Sequence, residues 1–472
     1  MPTFSIQNFG CRATEADASF LRHMLLSRGL THADDHLVAD VVVLNTCTVT
    51  ASADAQAREA VRKIHRANPS ARIVVSGCYA QRAPEEVAVL PGVTLVVGNS
   101  HIAEIPKIVS GSVFGTSGRD FVAISEIAEP LSLPHAPAKI LASDIFASKV
   151  SLPVSGPARG DRTRPILKIQ DGCNHRCAYC VIPFVRGRSR SVPPAAVVEH
   201  VRNFVRGGAR EIVLSGINLG SYGRDLSPRT GLQLLVRRVL DETGIDRLRF
   251  SSIEPQDVTQ EFIELVASCD RIAPHFHVPL QSGSDRILHA MHRWYRAEHY
   301  AERIHYIRKL LPHAAIGADV IAGFPGETED DFARTEELLE RLPFTYLHAF
   351  AFSQRPGTEA ATLGRPVNEF LVRIRARKLR AIGATKAAMF RTSQSSLSEK
   401  ALTLHRRGDG WTECLTPNYL RVRIGGPVPA NRWCQVRVTE RADEIAKEYS
   451  LLDDVGPPRP SNLGQNAREG LR

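Results

Sequence analysis

The stretch Asp171-Gly172-Cys173-Asn174-His175-Arg176-Cys177-Ala178-Tyr179-Cys180 holds three cysteines at the spacing C-x3-C-x2-C. A short loop of that spacing can turn three thiolates toward one point, enough for three corners of a cubane iron–sulfur cluster. The fourth iron is then open, and an open coordination position on a metal is where chemistry occurs. The competing reading is a zinc knuckle, but structural zinc takes four protein ligands, usually in two pairs. The next cysteine is the distant Cys269, and His175 completes a zinc set only in principle. The spacing favours an iron–sulfur cluster.

Around this loop the chain reads as repeated β–α units. Strand-like runs occur at Ile166–Ile169, Glu211–Leu214, Leu248–Ser251, Phe276–Pro279, Ile316–Ile321 and Tyr346–Phe350. Helical patterns fall between them: Pro194–Arg206, Leu232–Glu242, Gln260–Cys269, Asp285–Met291 capped by Ser284, Ala297–Leu311 and Glu329–Leu342. Six such units build a parallel sheet that curls into an open, partial barrel. The cysteine loop follows the first strand and so lies at the C-terminal mouth, where such barrels do chemistry. Ser215, Gly216, Ser252, Glu254 and Gln281 follow later strands, and Asp319 lies within the fifth. Singly these are ordinary turn and capping residues; their shared place at one mouth is the signal.

Residues 1–110 also alternate strands and helices. Strands are expected at Phe4–Ile6, Val41–Leu44, Arg72–Val75 and Leu95–Val97, with helices Ala16–Ser27 (Thr14 as N-cap) and Ser52–Arg66. Cys11, Cys47 and Cys78 each follow one of the first three strands. Each therefore sits at the C-terminal edge of a parallel sheet, where open α/β folds bind ligands. One buried cysteine there would mean nothing; three at equivalent strand ends suggest a second cluster. Gly10 and Gly77, just before two of them, permit the tight backbone a cluster needs.

The chain has 472 residues and a formal net charge of +10, which points to a polyanionic partner such as nucleic acid. Nine cysteines, six of them beside motif residues, fit a reducing compartment better than a secreted disulfide frame. The N-terminus lacks the pattern of a signal peptide and no run approaches a membrane span, so the expectation is a soluble, cytoplasmic protein. Residues 111–162, rich in Gly and Pro, read as a linker. Arg186, Arg188 and Arg190 could hold a phosphate backbone or an anionic cofactor group, or be a solvated loop. After residue 363 comes a basic helical stretch, then short alternating runs that read as a small antiparallel barrel. There Arg421 and Arg423 share a face, and Tyr419 and Trp411 offer stacking surfaces for unpaired bases. Residues 453–472 read as a disordered tail.

The form Cys173-Asn174-x-x-Cys177-x-Tyr179-Cys180 on the first strand of a partial barrel resembles the radical S-adenosylmethionine (SAM) superfamily. Gly10-Cys11, Asn45-Thr46-Cys47 and Gly77-Cys78 narrow the likeness to the methylthiotransferases. So do His277-Val278-Pro279-Leu280-Gln281-Ser282-Gly283-Ser284 and Gly323-Phe324-Pro325-Gly326-Glu327-Thr328, and the likeness spans residues 3 to 450 or so. Asn45-Thr46-Cys47-Thr48, Gly77-Cys78-Tyr79-Ala80-Gln81 and Leu167–Cys173 look like the subgroup acting on threonylcarbamoyl-adenosine in tRNA. The subgroup acting on isopentenyl-adenosine tends to carry Asn-Thr-Cys-Ser, and that acting on a ribosomal-protein aspartate Asn-Thr-Cys-Gly. One departure is visible: the family often has Asn where Thr14 stands, though Thr can still donate and cap, and Asp17 keeps the charge of the acidic residue the family has at its place.

The resemblance implies an α/β protein of several parts. These are an N-terminal parallel α/β domain (1–110), the linker (111–162), a partial (β/α)6 radical SAM barrel with a trailing basic helix (163–385), and a small antiparallel RNA-binding barrel of the TRAM type (386–452). It implies two 4Fe-4S clusters, one on Cys11, Cys47 and Cys78 and one on Cys173, Cys177 and Cys180, with SAM held near Tyr179, Ser215, Gly216, Ser252, Glu254, Gln281 and Asp319. The second cluster would split SAM to a 5′-deoxyadenosyl radical that abstracts hydrogen from adenine carbon 2, a C–H too strong and non-acidic for a side-chain base. The first would present the sulfur. The implied partners are tRNA, an electron donor such as flavodoxin or ferredoxin, and a sulfur source. The rival from another class is a non-catalytic iron–sulfur RNA-binding regulator.

Overall fold

The computed structural model describes residues 2–114, 138–147, 163–395, 397–446 and 448–452. The chain divides into two compact units, Met1–Ala158 with Val181–Arg188, and Arg159–Cys180 with Ser189–Arg472.

The first unit is a parallel sheet with helices on both faces. β1 (Thr3–Asn8), β2 (Thr31–His32), β3 (Val41–Thr46), β4 (Arg72–Gly77), β5 (Val93–Gly98) and β6 (Lys139–Leu141) lie in the order β2-β1-β3-β4-β5-β6, all parallel. The run Val41-Val42-Val43-Leu44 is apolar at every position because both faces of its strand are covered. Val42 and Leu44 pack with Ala57, Val61 and Ile64 of the helix Ala51–Ala67. Val41 and Val43 pack with Leu21 and Leu25 of the helix Arg12–Ser27. That helix starts earlier than the pattern predicted, with Cys11 as its N-cap. Thr14, the expected cap, sits in the first turn and donates its hydroxyl to the Cys11 carbonyl at 2.8 Å. The helix Ile105–Phe114 and β6 carry the unit into the expected linker. The run Phe121–Ile124 and the tail 453–472 lie outside the described residues.

The second unit contains β7 (Ile166–Asp171), β8 (Arg190–Ser191), β9 (Glu211–Gly216), β10 (Arg247–Phe250), β11 (His275–His277), β12 (Ala315–Ala322) and β13 (Tyr346–Ala351). β7, β9 and β10 pair in parallel, as do β11, β12 and β13, and a parallel bridge from Leu248 to Ile272 links the two groups. β8 runs antiparallel along β7. Helices lie between the parallel strands, as in the six-unit partial barrel expected. β12 shows the two faces: Ile316, Ala318 and Val320 are fully buried, whereas Asp319 and Ile321 are half-buried. The fully buried set is the helix-covered face, and the set with Asp319 the concave one.

A 26-residue helix, Glu369–Gln394, follows β13 and runs through the boundary expected at 385/386. Its basic residues divide into two groups. Arg375 is buried against Glu327 at 2.8 Å, and Arg391 donates to the carbonyls of Thr439 and Arg421, whereas Arg377, Lys378 and Arg380 are exposed. β14 (Ser398–Gly408), β15 (Trp411–Leu415), β16 (Arg421–Gly425), β17 (Trp433–Arg437), β18 (Ile445–Ala446) and β19 (Tyr449–Leu451) form a curled sheet, antiparallel except for the short β16–β18 pairing. It closes over Ala401, Cys414, Val422, Ile424, Cys434 and Val436 and is consistent with a TRAM domain. No helix among the described residues is long and apolar enough to cross a membrane.

Candidate active site

In the first unit β1, β3 and β4 are neighbours, so the chain leaves the sheet three times along one edge. Cys11, Cys47 and Cys78 stand at those three exits, Cys11 exposed and the other two buried. Gly10 has φ +132°, and a Cβ there would lie 2.7 Å from the Cβ of Cys47. Gly77 has φ +95°, and its Cβ would lie 2.4 Å from the Thr46 carbonyl oxygen. Both glycines are required by the close approach of the three exits. Burial, then the charges of Cys78 and Cys11, push the Cys47 thiol up to about 12. Burial also raises Cys78. The two buried thiols, which resist ionisation, are stabilised as thiolates when a metal neutralises them. Donors already face two sulfurs: the Val49 N–H reaches Cys47 Sγ and the Asn99 Nδ2 reaches Cys78 Sγ, each at 3.5 Å. This donor set fits a cluster held by thiolates and tuned by N–H···S bonds.

Arg186 corrects the sequence reading of it as a phosphate contact. It is 2% exposed and pairs at 2.9 Å with Asp17, itself 1% exposed. Its guanidinium also reaches the Cys78 thiol. Its charge is committed to the interior of the first unit. Asp17, which keeps the acidic charge the family pattern has there, is thereby given a use. Arg186→Gln is expected to cost roughly 3–5 kcal/mol, because it strands a buried carboxylate. Arg188→Gln, at an exposed position, is expected to cost less than about 0.5 kcal/mol. Thermal melts of both variants check this; equal small shifts would contradict the buried pair.

In the second unit the loop after β7 carries Cys173, Cys177 and Cys180, all half-buried. Gln170, buried at the end of β7, organises the loop. Its Nε2 donates to the carbonyls of Asp171 (3.0 Å) and Gly172 (2.7 Å), and its Oε1 accepts from the Asn218 N–H at 2.8 Å. Downstream, Ala178 N–H donates to the Met291 carbonyl and Ala360 N–H to the Ala178 carbonyl. The sulfurs again face donors: His175 N–H lies 3.4 Å from Cys173 Sγ, Asn218 Nδ2 3.8 Å from it, and Arg293 3.4 Å from Cys177 Sγ. Burial raises the Cys173 thiol, with the His175 N–H opposing. This set too fits an iron–sulfur cluster.

The expected SAM residues separate by environment. Glu254 ion-pairs with Arg293, and Tyr179 lies near the same guanidinium, its hydroxyl pushed up chiefly by burial. Ser215 is buried in β9, and a Cβ on Gly216 would lie 2.8 Å from Gln170 Oε1. Ser252 is exposed. Gln281 has φ +67° and is bound through its backbone to Asp319 and Ile321. Asp319 accepts from His277 Nε2 at 2.9 Å and His348 Nδ1 at 3.2 Å on the concave face. Burial opposes its ionisation, but those two bonds outweigh it and hold its carboxyl below the usual range.

Arg188 is exposed and Arg190 half-buried opposite Asp171, while Arg421 is exposed. Arg423 lies 4.3 Å over the Trp411 ring. The Tyr419 ring stacks on His275 at 4.3 Å and 8°, so one of the faces expected to receive a base is already covered. Sequence reasoning missed Arg293, Asn99, His277 and His348, and placed Asn218 only in the group that follows the second strand. For the two histidines the available signal was alternation: Lys168/Gln170, His275/His277 and Tyr346/His348 put polar groups on every second position of otherwise apolar strands, whereas Arg293, Asn218 and Asn99 lie outside the strands.

A parallel partial barrel with three thiols on the loop after its first strand defines a radical SAM core. Residues 167–339 match the Radical SAM superfamily and residues 3–98 the uncharacterized protein family UPF0004. The chain is 35% identical over 422 residues to threonylcarbamoyladenosine tRNA methylthiotransferase MtaB of Aquifex aeolicus, covering 89% of this chain and 96% of that relative. It is 37% identical over 433 residues to tRNA-2-methylthio-N(6)-dimethylallyladenosine synthase of Mycobacterium bovis, covering 88% and 78%. The radical SAM methyltransferase TsrM of Kitasatospora setae shares the fold with a TM-score of 0.51 and 16% identity, over 74% of this chain and 73% of that one. The chain belongs to the radical SAM tRNA methylthiotransferase family. It is therefore an enzyme, and the reading as a non-catalytic regulator falls. Its cofactors are SAM and 4Fe-4S clusters.

Proposed function

We propose that the enzyme transfers a methylthio group to carbon 2 of threonylcarbamoyl-adenosine beside the tRNA anticodon, giving 2-methylthio-threonylcarbamoyl-adenosine. One observation carries the choice of nucleoside: the likeness to the Aquifex aeolicus enzyme takes in 96% of that relative. The polar concave wall of β11–β13 supports it, since a threonylcarbamoyl group brings a carboxylate and an isopentenyl group none. The second reading, isopentenyl-adenosine, is favoured by the 37% identity to the Mycobacterium bovis enzyme.

When bound, a cluster on Cys173, Cys177 and Cys180 supplies the electron that splits SAM, and one on Cys11, Cys47 and Cys78 supplies the sulfur that is methylated and inserted. The chain's own residues orient and shield these groups. Gln170 and Asn218 fix the cysteine loop, and Arg293 sets the electrostatics beside Cys177 and Tyr179. Arg188, Arg190, Arg421 and Arg423, with the exposed cations of the helix Glu369–Gln394, are the proposed tRNA contacts, so binding weakens as salt rises. The site of action is the cytoplasm, with a flavodoxin or ferredoxin as electron donor and a separate sulfur source. Mass spectrometry of tRNA nucleosides from a strain lacking this chain is expected to show loss of 2-methylthio-threonylcarbamoyl-adenosine. Loss of the isopentenyl counterpart instead would select the second reading.

A further inference from the structure

We propose that His348 reads the threonyl carboxylate of the substrate and so determines which modified adenine is accepted; this rests on the threonylcarbamoyl reading above. Three parallel strands build the wall concerned. Asp319 on β12 is in register with His348 on β13, and Gly317 with Tyr346. His277 on β11 completes the row, and a Cβ on Gly317 would overlap the Tyr346 ring at 2.0 Å, so these side chains share one face.

The two imidazoles are not equivalent. His277 is buried and both its ring nitrogens are engaged, Nε2 with Asp319 at 2.9 Å and Nδ1 with the Tyr346 hydroxyl at 3.0 Å. Tyr346 also bonds His275 Nε2 at 2.7 Å, so that side of the row is locked. His348 spends only Nδ1 on Asp319, at 3.2 Å, and its side chain is 56% exposed. With Nδ1 held by a carboxylate, the ring orientation is fixed and Nε2 projects away from the wall. Because Nδ1–H is given to Asp319, Nε2 donates only in the imidazolium form, so a second carboxylate binds together with a proton and the cation then lies between two anions. Asp319 alone would repel that ligand. The proton that His348 takes up from solvent on binding offsets the Asp319 charge and leaves the wall able to take another negative charge.

The neighbouring surface suits a nucleobase. Phe350, two residues beyond His348 on β13, is 44% exposed and meets the His348 ring edge-on at 6.4 Å. An exposed aromatic next to a fixed donor offers a planar group its stacking face and an appended acid its hydrogen bond. An isopentenyl group would instead desolvate the polar row with nothing returned. A site built to hydrogen-bond a substrate group rejects analogues that lack it far more strongly than an apolar pocket rejects an extra group.

The test uses reconstituted holoenzyme and anticodon-loop RNAs carrying either threonylcarbamoyl-adenosine or its carboxamide, which removes the negative charge alone. Wild type is expected to prefer the acid by about 10- to 100-fold in kcat/KM, mainly through KM. His348→Ala is expected to reduce that preference below about threefold, and His348→Gln, which keeps a donor, to restore part of it. A preference unchanged in His348→Ala overturns the proposal while leaving the threonylcarbamoyl reading intact. Wild type that cleaves SAM but modifies neither RNA overturns that reading and this inference with it. A stoichiometric divalent ion beyond the cluster iron, lost in His348→Ala, also overturns it, by making the imidazole a metal ligand.

Discussion

Cys11→Ala is expected to remove about half of the reconstituted iron and all methylthio product, while SAM is still cleaved to 5′-deoxyadenosine. Cys177→Ala is expected to lose a similar share of iron together with the cleavage itself. The separation follows from where the thiols lie. Cys11, Cys47 and Cys78 belong wholly to the first unit, and Cys173, Cys177 and Cys180 to the second. Each set has its own N–H donors and its own supporting backbone, so removing one thiol leaves the other set complete. Cys11 is the informative choice in the first set because it is exposed, so truncating it leaves no cavity in the core. Cys177 accepts from Arg293, and its loss frees that guanidinium as well as a thiolate position. Iron and sulfide assays with chromatographic measurement of 5′-deoxyadenosine and modified nucleoside distinguish the two variants. If Cys11→Ala abolishes SAM cleavage while its fold and remaining iron are normal, the division of labour between the two sets is wrong.

What the sequence made legible is what depends on local chemistry. Val41-Val42-Val43-Leu44 is a strand covered on both faces whatever packs there, and its C-terminal end places Cys47. The spacing Cys173–Cys180 fixes three thiols on one loop without reference to the rest of the chain. What stayed hidden depends on distant partners. Arg186 and Arg188 are two residues apart in a basic run, yet one is buried and the other exposed, because Asp17 lies 169 positions away in sequence. Tyr419 looks like a free stacking ring until His275 covers it. Thr14 is the better intrinsic cap, but the exit of β1 already sets the helix start at Cys11. His277, Asp319 and His348 come from three strands, and only the register of the sheet brings them together.

Glu211→Gln is expected to destabilise the second unit by roughly 3–5 kcal/mol and to lower its Tm by on the order of 5–10 °C. Glu211 is fully buried and faces three guanidiniums: Arg249 at 2.8 Å, Arg164 at 3.3 Å and Arg247 at 3.4 Å. Burial works against its charge, but the three cations outweigh it and bring its carboxyl from 4.5 to about 2. The cations are themselves tied to the C-terminal sheet. Arg249 donates to the carbonyls of Pro417 and Thr416, and Arg247 to that of Lys400 while stacking on Trp433. Glutamine keeps the shape and leaves three buried positive charges with no anion, the costly way to break such a network. Asp330→Asn, which removes an exposed i,i+4 pair with Arg334, is the contrast and is expected to cost under about 0.5 kcal/mol. The pH dependence has a definite sign. A carboxyl whose folded pKa is depressed stabilises the protein above its unfolded value, near 4.3, and loses that stabilisation as pH falls toward 2. The shift corresponds to about 3 kcal/mol. The gap in stability between wild type and Glu211→Gln is therefore expected to be constant from pH 7 down to about 5 and to narrow below it. A gap that widens on acidification, or a variant as stable as wild type at neutral pH, would show that the carboxylate does not hold these three arginines together.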